Sequence, residues 1–115
     1  HDAVKAILKG VERLKSGQSM LVFPEGTRSK SGKIGVLKSG SLKLATRSKA
    51  VIVPITIKGL RAGYENLSGW KRVHAYLSIS DPIYTKDLSS EEISELHTTV
   101  YGTISKRFEE LPGQV

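Results

Sequence analysis

Apolar and polar positions follow different rhythms in successive stretches of this chain. Val4, Ile7, Leu8, Val11 and Leu14 recur at helical spacing with Lys5, Lys9, Glu12 and Lys15 between them, so residues 2–15 read as an amphipathic helix that Ser16-Gly17 stops. Residues 19–23 form a short apolar run closed by Pro24, which cannot donate the next ladder bond; they read as a buried strand. Residues 25–40 are polar and basic, with Gly26, Gly32, Gly35 and Gly40 among them, and read as a loop. A short helix is expected over 42–49, and β-branched side chains make 51–58 a second buried strand. Residues 60–70 read as a loop. From 72 to 79 the pattern changes to strict alternation: Val73, Ala75, Leu77 and Ile79 on one side, Arg72, His74, Tyr76 and Ser78 on the other, as in a half-exposed strand. Ser89 and Glu92 have capping-box spacing, and Ile93, Leu96, Val100, Ile104, Phe108 and Leu111 continue as one helical stripe to Pro112-Gly113.

Strand, loop, helix and strand in that order predict an α/β fold. The expected architecture is a parallel or mixed sheet flanked by helices, with a central βαβ unit and a right-handed crossover. Ligands of open α/β sheets sit beyond the carboxyl ends of the strands, where Glu25 to Arg28 would fall. At 115 residues the chain has room for one core, with neither an internal repeat nor a domain boundary. Its longest apolar run, residues 50–57, contains Pro54 and Thr56 and is far shorter than the ~20 residues of a membrane-spanning helix. The absence of Cys excludes disulfides, Cys-ligated zinc and iron–sulfur clusters, and thiol nucleophiles. The first residue is not Met and already borders a helical pattern, so the chain is expected to begin partway through a longer protein.

Charge is unevenly placed. Residues 1–60 hold twelve Lys and Arg against three Asp and Glu, whereas residues 61–115 hold six against eight, so the overall +7 belongs to the N-terminal half. Such a field either only solubilises the surface or concentrates an anionic partner: nucleic acid, lipid headgroups or phosphorylated small molecules. Nucleic acid fits poorly, because the sequence has no recognition-helix signature and no paired strand aromatics.

The run Phe23-Pro24-Glu25-Gly26-Thr27-Arg28-Ser29 gathers phosphate-binding groups directly behind an apolar run. Arg28 offers a planar fork of donors for two phosphate oxygens, Thr27 and Ser29 add hydroxyls, and Gly26 lets backbone approach a ligand. Lys30, Lys33 and Lys38 add positive potential. Glu25 would repel a phosphate if left free, so it either orients Arg28 through an ion pair or accepts a hydrogen bond from a ligand hydroxyl. The bland alternative is a solvated turn in which Glu25 and Arg28 pair and bind nothing.

This run, followed by Lys38, Gly40 and Ala45 and then by Val53-Pro54-Ile55, resembles the glycerolipid acyltransferase family that makes phosphatidic acid. The likeness covers roughly residues 17–59. It implies that Glu25, Gly26, Thr27 and Arg28 hold the phosphate of a lysophosphatidate-like acceptor and that Val53, Pro54 and Ile55 lie near the substrate cleft. It implies a fatty acyl group moving from acyl-CoA or acyl carrier protein to the acceptor hydroxyl, with neither a metal nor a redox cofactor, at the cytoplasmic face of a membrane, peripherally or through an anchor outside these residues. Family members perform this step with a His and an Asp spaced His-x-x-x-x-Asp, the His as general base and the Asp orienting its ring. Here Ala6, Ile79 and Gly102 stand five residues after His1, His74 and His97, so the dyad is absent. The expectation is therefore the C-terminal portion of one acyltransferase domain, inactive alone; the alternative is a non-catalytic basic module that binds phosphorylated lipid or nucleic acid.

Three other features have two readings. Pro54 marks either a strand edge or a functional kink. Trp70, with Tyr64 and Leu67, either touches a membrane interface or packs on its own domain. His1, His74 and His97 read as non-catalytic terminal, surface or boundary residues.

Overall fold

The computed structural model describes residues 2–25, 34–35, 37–60 and 74–112. Three helices and a two-stranded sheet make up the described fold: α1 (Asp2–Lys15), α2 (Ser39–Ser48), β1 (Ile55–Lys58), β2 (Tyr76–Ile79) and α3 (Ser90–Glu110). Helices on a sheet in this mixed order make the chain α/β, as the pattern predicts.

Helix α1 buries Gly10 and Val11 and packs against α2. The approach is close at Gly10, where a Cβ would stand 2.6 Å from Leu44 Cδ2. Helix α2 begins three residues before the predicted start and ends at Lys49, which takes the left-handed conformation at φ 60°. Thr85, buried, closes this end by donating its hydroxyl to Ala50 O at 2.7 Å. Helix α3 carries the capping box its sequence announces. Ser89 Oγ accepts from Glu92 N, and Glu92 Oε1 accepts from Ser89 N, both at 3.2 Å. Leu96 and Val100 of its stripe meet Leu37 in the core, with Leu42, Ile52, Ile83, Leu88 and Ile104 packed around them. At its other end Lys58 Nζ donates to Phe108 O and Leu111 O, each at 3.0 Å, and lies 4.9 Å from the centre of the Phe108 ring. A strand cation thus satisfies two of the terminal carbonyls of α3.

The sheet departs from the predicted one in three respects. First, residues 19–23 are not a strand: Leu21 is 74% and Phe23 70% exposed, and no described residue offers them a ladder. An apolar run becomes a strand only where a neighbour takes its backbone hydrogen bonds. Second, without it the expected βαβ unit is not formed among the described residues. Strand β1 pairs instead with β2, antiparallel, in the register Ile55↔Ile79, Thr56↔Ser78, Ile57↔Leu77, Lys58↔Tyr76. Third, the alternation of β2 is real but its faces are exchanged. Leu77 and Ile79 point outward, 57% and 66% exposed, while Tyr76 and Ser78 are half-buried. The reason lies in β1, whose Thr56 side is packed by α3; the partners of Ile55 and Ile57 must then face away.

Pro54 sits at a kink in the ladder, and among the described residues its strand is also an edge of a two-stranded sheet. A further antiparallel bridge joins Ile52 and Ile83, so that residues 53–54 oppose residues 80–82 between it and the Ile55↔Ile79 pair. This is a bulge, and it falls where Pro54 has no N–H to give; its carbonyl still accepts from Ser80 N at 2.9 Å.

Candidate functional site

The described ends of the polar stretch after Pro24 are joined by two hydrogen bonds. Lys38 N donates to Pro24 O at 2.7 Å, and inside that contact Gly35 N donates to the Glu25 carboxylate, Oε2, at 2.8 Å. Glu25 is half-buried, and Gly35 gives it room, since a Cβ on Gly35 would lie 3.1 Å from Oε2. Ser41 Oγ donates to Lys38 O at 2.9 Å and lies 3.5 Å from Pro24 O. The start of α2 is thereby fastened to the turn at Pro24-Glu25.

That helix start is electrically suited to an anion. The first turn of α2 has no acidic residue, and the Lys38 side chain makes no capping bond there. Unpaired N–H groups at a helix N-terminus carry partial positive charge. Lys38 itself is exposed beside it.

Of the predicted acceptor residues, Glu25 is thus placed, while Gly26, Thr27 and Arg28 lie outside the described residues, as do Lys30 and Lys33. The predicted cleft residues sit on the second ladder: Pro54 buried, Val53 and Ile55 exposed on the outward side. Among the described residues no hydrogen bond joins the two groups. Helix α3 contacts the residue before Lys38 through His97, whose Nε2 lies 2.6 Å from Leu37 O. A carbonyl only accepts, so Nε2 carries the proton and that nitrogen is engaged in structure. His74 is exposed, and His1, Tyr64, Leu67 and Trp70 lie outside the described residues.

Sequence reasoning did not single out Gly35, Ser41 or the Pro24–Lys38 contact. Gly35 is one of four glycines in a basic stretch, and nothing in its neighbours marks it as the partner of a carboxylate ten positions away.

The family model described as Acyltransferase matches residues 1–58, half of the chain. A 1-acyl-sn-glycerol-3-phosphate acyltransferase of Borreliella burgdorferi is 29% identical over 93% of this chain and 43% of its own length. A chloroplastic protein of the same name from Arabidopsis thaliana is 43% identical over 49% of this chain and 16% of its own length. Among solved structures, the 1-acyl-sn-glycerophosphate (LPA) acyltransferase PlsC of Thermotoga maritima superposes with a TM-score of 0.75 at 32% identity, covering 96% of this chain and 45% of that one. The chain therefore spans less than half the length of each of these relatives.

Proposed function

The chain belongs to the acyltransferase family, and from that membership we propose that it is the acceptor-binding portion of an enzyme that esterifies lysophosphatidate to phosphatidate. The observation that carries this reading is the likeness to the Thermotoga enzyme along nearly the whole chain, in sequence and in fold. In the proposed step the acceptor hydroxyl oxygen attacks the carbonyl carbon of an acyl thioester. A C–O bond forms, the C–S bond breaks, and the hydroxyl proton passes through a general base to the departing sulfur. No His of this chain has the Asp partner such a base needs, so we assign the base to a His-x-x-x-x-Asp motif outside these residues.

What this chain contributes is grip on the acceptor. We assign Arg28 to the phosphate, with Thr27 and Gly26 as further candidate contacts, and the N-terminus of α2 with Lys38 adds positive potential. Val53, Pro54 and Ile55 supply apolar and bulged backbone for the cleft wall. The donor is acyl-CoA or acyl carrier protein, and the basic N-terminal half draws the protein to the anionic cytoplasmic surface of a membrane. Among the described residues no helix is long and apolar enough to cross a membrane.

The test uses the full-length protein that carries this sequence, supplied with 1-acyl-glycerol 3-phosphate and each thioester in turn. Phosphatidate and free thiol are expected in equal amounts. Arg28→Ala should raise the acceptor KM about 10- to 100-fold, the worth of one charged hydrogen-bonded pair, and leave the donor KM unchanged. Absence of phosphatidate with both donors would sink the reading. A collapse of donor affinity with normal acceptor kinetics would remove Arg28 from its assigned place.

A further inference from the structure

Along its length helix α1 carries one packed row of side chains and two open ones. Ile7, Val11 and Leu14, with Gly10 beside them, form the packed row: Gly10 and Val11 are buried, Ile7 and Leu14 half-buried. Their neighbour is α2, where a Cβ on Gly40 would lie 3.5 Å from Ile7 Cδ1. The next row around the helix is Val4, Leu8 and Lys15, and the one after it Lys5, Lys9 and Glu12. Both are open: Val4 is 56% and Leu8 50% exposed, and Lys5, Lys9, Glu12 and Lys15 are exposed as well. The apolar stripe of α1 is therefore wider than the part packed on α2, and its uncovered edge is bordered by three lysines and one glutamate.

We propose that this edge of α1 is a membrane-contact surface. The helix lies along an anionic bilayer with Val4 and Leu8 set into the headgroup boundary and Lys5, Lys9 and Lys15 among the lipid phosphates. Size and charge both choose a lipid surface over a protein partner. Two half-exposed side chains offer far less than the ~800 Å² per partner of a stable protein interface, whereas a bilayer accepts a narrow apolar edge that cations accompany. Lysine stems extend over apolar surface and carry their ammonium groups outward to the phosphates. The choice of lipid rests on the proposed acyltransferase reading, in which acceptor and product are both anionic amphiphiles. What the inference adds is the place and the posture: α1 lies flat, its 14 residues being too few to span.

The test uses the full-length protein on vesicles of phosphatidylcholine and phosphatidylglycerol in equal parts, with phosphatidylcholine alone as the comparison. A polarity-sensitive fluorophore on Leu8→Cys, in a background without other thiols, should shift to the blue with the anionic vesicles and far less with phosphatidylcholine. The same label on Glu109→Cys, at the far end of α3, should not shift. Lys5→Gln with Lys9→Gln is expected to raise the lipid concentration for a half-maximal shift about 25-fold, roughly fivefold per charge, while Lys5→Arg with Lys9→Arg keeps the parent value. Val4→Ser should raise it severalfold. All these positions are exposed, so the denaturation midpoint should stay near that of the parent, which separates lost binding from lost structure. A label at Leu8 that is already blue-shifted without vesicles would overturn the proposal, because protein would then cover the edge. So would the absence of a shift with anionic vesicles, an equal shift at Glu109, or a Lys-to-Gln pair that binds like the parent. A full-length protein that makes no phosphatidate counts against the acyltransferase reading alone, and the shift at Leu8 then decides the surface by itself.

Discussion

At the scale of single residues the sharpest constraint outside the candidate site is Gly59, directly after β1. Its φ is +100°, a conformation side chains rarely adopt, and a Cβ there would stand 2.6 Å from the carbonyl oxygen of His74. Both obstacles are backbone, so neither can be relieved by a side chain swinging away. Gly59→Ala is expected to lower stability by about 1–3 kcal/mol, visible as a reduced denaturation midpoint with an unchanged slope. Glu25 and Gly35 illustrate the opposite case, where the residue was legible and its role was not. The Glu-Gly-Thr-Arg run singles out Glu25 as a member of a site, but sequence offers an ion pair to Arg28 or a ligand hydroxyl as its partner. The backbone N–H that accepts the role carries no sequence label, because every residue but proline has one.

At the scale of elements, local signals were read well. Periodicity and the Ser16-Gly17 stop place α1 at its observed bounds, and the capping-box spacing places the start of α3. These are properties of a few adjacent residues. Ser89→Ala should remove the side-chain half of that box and cost about 1 kcal/mol, measured by thermal or denaturant unfolding; Ser89→Asp, which keeps an acceptor, should cost much less. Strands were read less well because a strand is a relation between distant segments. The alternation over 72–79 correctly implies two unlike faces, yet which face is covered depends on α3 lying against Thr56, a fact no residue of β2 encodes. Residues 19–23 have the composition of a buried strand and lack a described neighbour to make them one. Pro54 was legible as an irregularity, and its resolution into a bulge needed the residues 80–82 opposite it.

At the scale of the molecule the sheet is inverted relative to a self-sufficient domain. Ile55, Ile57, Leu77 and Ile79 form an outward apolar face, and Thr56 beneath them is only 1% exposed with its hydroxyl unpaired among the described residues. Exposed apolar clusters of this kind bind other apolar surface. The 115-residue chain alone is therefore expected to bind a hydrophobic dye and to self-associate. The pair of changes Leu77→Thr and Ile79→Thr should reduce both, while altering its stability by no more than about 0.5 kcal/mol each, as for exposed positions. Unchanged dye binding in the double variant would mean that this face is not what the dye reads. The same substitutions in the full-length protein give the complementary measurement: a marked loss of stability there would show the face to be covered in it.

Under the proposed acyltransferase reading, the nested contacts at Pro24, Glu25, Gly35 and Lys38 also bear on how acceptor preference can change over evolution. The Pro24–Lys38 bond of 2.7 Å joins main-chain atoms only, whereas the bond from Gly35 N needs the Glu25 carboxylate, so one of the two contacts is independent of side chains and the other is not. The entropy of closing a longer stretch grows only logarithmically, by about 0.6 kcal/mol for each doubling of length. The described ends, Pro24-Glu25 on one side and Gly35 with Lys38 on the other, can therefore keep their contacts while the number of residues between them changes. Grafting the stretch from a relative that prefers a different acceptor is then a route to altered selectivity, provided the carboxylate and the glycine that latch it travel together.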